Sequence, residues 1–213
     1  MNHESKTIGI ASGFVALNII LMALVSFTPL AGLMDYVFTY LILGVLFFGA
    51  LLTGGVWIAK SGIRNNNKGT AFAGTTILQI AYALFGGGVL SWIGPDIRPI
   101  AIIVTFVITL GIAVLSAALV YFTKRDFSKF GMYSTYLFLG VVGLALFGTF
   151  LPFFGMIAFF MALAGFITYL IYEIYILREQ ESSPLMNGLG IYVAFMGVFV
   201  QILQMVVRYY LER

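Results

Sequence analysis

One acid, Glu173, stands inside an otherwise apolar stretch that runs from Pro152 to Leu177. An ionisable side chain within a membrane-crossing helix is costly and normally faces an internal cavity or a partner. Two chemistries fit it. The first is an ion- or proton-responsive carboxylate. The second is an interfacial glutamate that snorkels to the headgroups or pairs with Arg178, five residues on. Ala158, Ala162 and Gly165 precede it as a small-residue stripe at helical spacing, and Glu173 returns to that face after about three turns. The last apolar stretch carries a second stripe, in which Gly190, Ala194, Gly197, Gln201, Gln204 and Arg208 recur at intervals of three and four. That face is small at one end and polar at the other. It would line a pore or cavity, with Gln201 and Gln204 on the path. The alternative is a buried face whose amides bond across to neighbouring helices.

Several chemistries are excluded by composition. The chain has no cysteine, so disulfides, thiolate metal sites and cysteine nucleophiles are absent. Its one histidine, His3, leaves no His-based triad and no multi-histidine metal site. Paired aspartates are missing from the apolar stretches, so an intramembrane protease cannot be built and no enzyme is expected. No lysine lies between Leu185 and Tyr210, which removes a retinal Schiff base. No cofactor is implied, and no set of metal ligands can be named. The net charge of +3 is scattered through loops and is no nucleic-acid footprint. Gly86-Gly87-Gly88 lacks the Lys-Ser/Thr of a phosphate-cradling loop. It marks either a break in its helix or a tight packing point.

The elements that must position these residues are membrane spans. The 213 residues are 62% hydrophobic and 9% charged, with a mean hydropathy of +1.06. A soluble domain carries roughly 25% charged residues, so lipid is the solvent that fits. Seven stretches reach the roughly 20 apolar residues a spanning helix needs: 8–33, 36–59, 69–92, 98–122, 130–149, 152–177 and 185–210. They form one polytopic domain over residues 1–213. The first stretch is too long for a signal-peptide core of about 7–15 residues. All five prolines fall at predicted helix ends or in loops. Asp35, Ser128 and Ser183 stand where N-caps are wanted. Asn65-Asn66-Asn67 forms a polar turn. Lys6, Lys60, Arg64, Lys68, Lys124, Arg125, Lys129 and Arg178 gather on one side, against Arg98, Arg208 and Arg213 on the other. The positive-inside rule then places the N-terminus in the cytosol and the C-terminus outside. Six spans, with the closely spaced first two miscounted, are the alternative topology.

The loop Thr123-Lys124-Arg125-Asp126-Phe127-Ser128 is physically a basic turn, with Asp126 or Ser128 capping the next helix. It also resembles the signature between the fourth and fifth helices of the Bax inhibitor-1 family. Leu170-Ile171-Tyr172-Glu173 is similar to that family's Leu-Tyr-Asp or Leu-Phe-Glu segment. Ile191-Tyr192-Val193-Ala194-Phe195 is similar to its Leu-Tyr-Leu-Asp-Phe segment, and Lys68-Gly69-Thr70-Ala71-Phe72-Ala73 is a further, weaker match. Order, loop lengths and span number agree over nearly the whole chain. The resemblance implies an all-α integral membrane protein, a seven-helix bundle packed around a central seventh helix. It implies a pH-sensitive calcium leak in which carboxylates on the sixth and seventh spans share a proton. Glu173 matches the first of these, but Ala194 stands where the second acid would be, so that proton-sharing pair is absent. By the same resemblance Lys60, near the end of the second span, is the counterpart of a basic latch on the carboxylate.

A glutamate on the sixth span facing a small residue on the seventh is more like the bacterial branch, in which one member modulates the membrane-bound AAA protease FtsH. Two expectations follow. One is a pH-responsive cation leak, for calcium, with Glu173 as the proton sensor. The other is a non-transporting regulatory protein, either a modulator of an FtsH-type protease or a stress-survival factor. The partners would be the bilayer, calcium ions or protons, and in the second case a membrane protease. Lack of cysteine and a compact N-terminus point to a prokaryotic plasma membrane.

Overall fold

The structure is a computed structural model describing residues 2–39, 41–123, 125–179 and 182–212. Among these residues eight helices follow one another: α1 (His3–Val25), α2 (Pro29–Thr39), α3 (Leu41–Arg64), α4 (Lys68–Ser91), α5 (Arg98–Thr123), α6 (Phe130–Gly148), α7 (Pro152–Glu179) and α8 (Pro184–Leu211). Seven of them are long and apolar enough to cross a membrane. The protein is an all-α integral membrane protein. The exception is α2, whose 11 residues are far fewer than the roughly 20 that a span requires.

That short helix corrects the expected first span. The apolar run does not continue to Leu33, because α1 ends at Val25 and Ser26–Thr28 turns the chain. The Ser26 and Thr28 hydroxyls bond to the carbonyls of Ala23 and Val25. Pro29, with no N–H to continue the ladder, starts a new helix instead. Asp35 therefore lies within α2 and not at a helix start.

Other boundaries follow local chemistry. Asn66 adopts φ 54, the left-handed region that asparagine tolerates better than most residues. This ends α3, and the Asn67 side chain then accepts from Thr70 N–H to cap α4. Pro29, Pro152 and Pro184 each open a helix, Pro99 sits in the first turn of α5, and Pro95 lies in a turn. Ser183 caps α8 by accepting from Met186 N–H, with Pro184 in the first position. Ser183→Ala should lower stability by about 1 kcal/mol, read as a shift in thermal unfolding in detergent; no shift would mean the α8 start is held elsewhere. Ser128 does not cap its helix. Asp126 accepts Ser128 N–H at 2.8 Å one turn earlier, and α6 begins after Lys129 with no side-chain cap.

The seventh span, α8, is the centre of the bundle, with 78% of its apolar window buried. It packs against α7, α1, α5, α4 and α3. Helices α3–α4 and α6–α7 form close antiparallel pairs. In lipid no hydrophobic force drives helices together, so close packing through small residues must do so. A β-carbon on Gly74 would strike the backbone of Ala59, and one on Gly62 the backbone of Ala71. The Gly86–Gly88 run is likewise a packing point in an unbroken α4. There Gly86 meets Met22, Gly87 meets Val25, and Gly88 meets Met34. Arg98 ties the start of α5 to the end of α1, donating to the Ser26 carbonyl at 2.7 Å.

Candidate functional site

Glu173 is buried, at 3% exposure, toward the C-terminal end of α7. Its partner is not Arg178. That guanidinium pairs with Glu179 at 2.7 Å and donates to the carbonyls of Val120 and Arg125. Glu173 instead faces Lys60, whose Nζ lies 3.5 Å from its Oε1. A second span that ends at Ala59 would put Lys60 in the loop after it. In the structure α3 continues to Arg64, so Lys60 belongs to the helix. The same ammonium donates to the Tyr169 hydroxyl at 3.4 Å. Tyr169 lies one turn before Glu173 on the same face, so the ammonium bridges its hydroxyl and the carboxylate. A buried charge is tolerable only when paired and hydrogen-bonded, and the Lys60 ammonium supplies both to Glu173.

The carboxylate rests against α8 at Gly190, where a β-carbon would collide with its oxygens. The α8 stripe is thus a packing face toward α7. Gly197 receives the ring of Phe166, and the Arg208 guanidinium lies over Phe159, 5.9 Å from the ring centroid. Ala194, one turn after Gly190, is fully buried. Gln201 is buried, and Gln204 donates to it at 3.2 Å and to the Val200 carbonyl. These bonds stay within α8. On α7 the small stripe turns away from Glu173, since Ala158 and Ala162 cluster with Val141 of α6, and Gly165 meets Phe138 of α6.

A cavity of about 200 Å³ opens beside the pair, lined by Lys60, Tyr172, Glu173, Ser182, Met186 and Asn187 among others. Asn187 is 1% exposed, and its Nδ2 has no hydrogen-bond partner, while its Oδ1 is engaged by the Ser182 hydroxyl. The Nε2–H of His3 donates to the Ser182 carbonyl at 2.9 Å, so the start of α1 is fastened beside the cavity. Among the described residues no three His, Cys, Asp or Glu side chains come together to hold a metal ion. Of the signature loop, Lys124 lies outside the described residues. Arg125 gives its carbonyl to Arg178. The Ser128 backbone N–H beside Asp126 holds that carboxyl below the usual carboxylate range.

The sequence reading missed a second polar cluster. Asn18 of α1 donates through Nδ2 to Gln79 Oε1 at 2.7 Å, to the Gln79 carbonyl at 3.0 Å and to the Tyr192 hydroxyl of α8 at 3.1 Å. Tyr82 of α4 donates to the Val193 carbonyl at 2.7 Å. A signal for it existed, because Asn18 and Gln79 are each the lone amide in their apolar stretch.

A family model described as Inhibitor of apoptosis-promoting Bax1 matches residues 3–208. Neither a curated protein nor a solved structure matches the chain. Since the matched region takes in every helix of the bundle, from His3 into the last turn of α8, the chain belongs to the Bax inhibitor-1 family.

Proposed function

We propose that the protein is a pH-responsive cation leak, with calcium as the ion, and that Glu173 is its proton sensor. The observation that carries this is a buried carboxylate in a spanning helix, paired with Lys60 and bordering a cavity. Ionised, Glu173 attracts Lys60 and ties α7 to α3. Protonated, it loses that attraction, and the link between the two helices weakens. One acid suffices for this switch, and Ala194 leaves no second carboxylate to share the proton. In this reading the N-terminus and the cavity end of the bundle face the cytosol, and the membrane is a prokaryotic plasma membrane.

The test is calcium flux into proteoliposomes across about pH 5 to 8, the range a perturbed carboxyl can cover. Glu173→Gln mimics the protonated carboxyl, so its flux should be pH-independent and match the acid limit of the wild type. A wild type that carries no calcium at any pH, with its fold verified, overturns the reading.

The buried Ala194 favours a second reading, a non-transporting regulator such as a modulator of an FtsH-type protease. Its basic loops would be the contact surface. Copurification from native membranes tests it, and recovery of no protease or other partner would count against it.

A further inference from the structure

The Asn18 cluster lies on the opposite side of α8 from Glu173. Within one turn, α8 presents Gly190 to the α7 carboxylate and Tyr192 to Asn18 of α1. The next residue, Val193, gives its carbonyl to Tyr82 of α4. The α8 segment that backs the carboxylate is therefore held from behind by polar bonds to two other helices. Gln79 Nε2 also donates to the Phe14 carbonyl at 3.1 Å, which joins α4 to α1. All of these side chains are at least nine-tenths buried.

The cluster is under-satisfied. The two hydrogens of Asn18 Nδ2 serve three acceptors, while Asn18 Oδ1 is buried without a partner. A fully satisfied polar network specifies one arrangement, whereas a partly satisfied one is weaker. Polar bonds between spanning helices are individually weak, so a cluster with an unpartnered acceptor at its centre can open. The rings of Phe14, Tyr82 and Tyr192 pack beside the cluster in tilted or edge contacts at 5.5–5.9 Å between centroids.

We propose that Asn18, Gln79 and Tyr192 are positioning residues that latch α8 to α1 and α4 and thereby hold Gly190 against Glu173. Opening of this latch lets α8 move off the carboxylate. The role in gating rests on the reading of Glu173 as the sensor, whereas the latch itself does not.

Two readouts separate those failures. The chain has no cysteine, so Leu24→Cys on α1 and Met205→Cys on α8, both lipid-exposed, accept spin labels without background. In otherwise wild-type protein the inter-label distance should be single and narrow. Adding Tyr192→Phe or Asn18→Leu should broaden or lengthen it. In proteoliposomes Tyr192→Phe, which removes one such bond, should raise calcium flux about threefold at the pH where the wild type is least active, and Asn18→Leu, which removes three, should raise it at least as much. They should also shift the midpoint of the pH profile. Tyr192→Phe removes one oxygen and keeps the ring, so it remains informative if Asn18→Leu does not fold. An unchanged distance together with an unchanged profile overturns the latch. A changed distance in a protein with no pH-dependent flux upholds the latch and overturns the sensor.

Discussion

Gly74→Leu should abolish assembly of the bundle. At this position α3 and α4 touch through their backbones, and a side chain on Gly74 would enter the space held by the Ala59 main chain. Rotamer changes cannot relieve that collision, because the obstacle is not a side chain. Overpacking costs about 1–3 kcal/mol even where side chains can yield; here the two helices must part. Separation would also withdraw α3, which carries Lys60, from Glu173. The measurement is the size-exclusion profile of the detergent-solubilised protein, which should lose its monodisperse peak. Gly111→Leu is the control, since nothing lies within 4 Å of the β-carbon it would add, and its profile should match the wild type. A normal peak and normal thermal unfolding for Gly74→Leu would refute the close approach.

Lys60→Met should be the most damaging change at the Glu173 site. It leaves a carboxylate at 3% exposure without its cation. Removing one partner of a buried pair costs about 3–5 kcal/mol. Lys60 itself is 30% exposed, so the lower end of that range is expected. Glu173→Gln should cost less, because the freed ammonium can reach solvent. The double variant should recover most of the loss, since a neutral amide needs no cation. The coupling between the two should then exceed about 1 kcal/mol, measured by unfolding all four proteins under one condition. Additive losses would show that the two groups do not act as a pair. Together with the flux of Glu173→Gln, this cycle separates what the pair does for stability from what it does for gating.

The seven spans were legible because lipid imposes a length and a composition on anything that crosses it. Polar turns were nearly as clear. Asn65–Asn67 and Ser183 do at helix ends what asparagine and serine do in short peptides. The acid at 173 was conspicuous as the exception in an apolar run. The fold departs from the sequence reading where several weak local preferences competed. Between residues 25 and 41 the hydropathy stays high, and only the Ser26–Pro29 turn divides α1 from α2. Ser128 had the right residue type for a cap, but α6 starts after Lys129, one residue too late for it.

Sequence alone determined that this chain lives in a membrane, how many times it crosses, and that one carboxylate must find a partner inside it. Tertiary structure decided which partner. Arg178 was nearer along the chain, yet Lys60, 113 residues away, reaches Glu173 from α3, a helix that packs mainly on α4 and α6. Periodicity tells which residues share a face, but not which helix that face meets. The small stripes on α7 and α8 show this, one turning to α6 and the other to α7. For the same reason Gly74 and Gly111 look alike as letters and differ in what surrounds them. Asn18, Gln79 and Tyr192 become one cluster only when three helices bring them together. The cause is general: with lipid outside, the spans bind one another by shape, and shape is a property of the packed bundle.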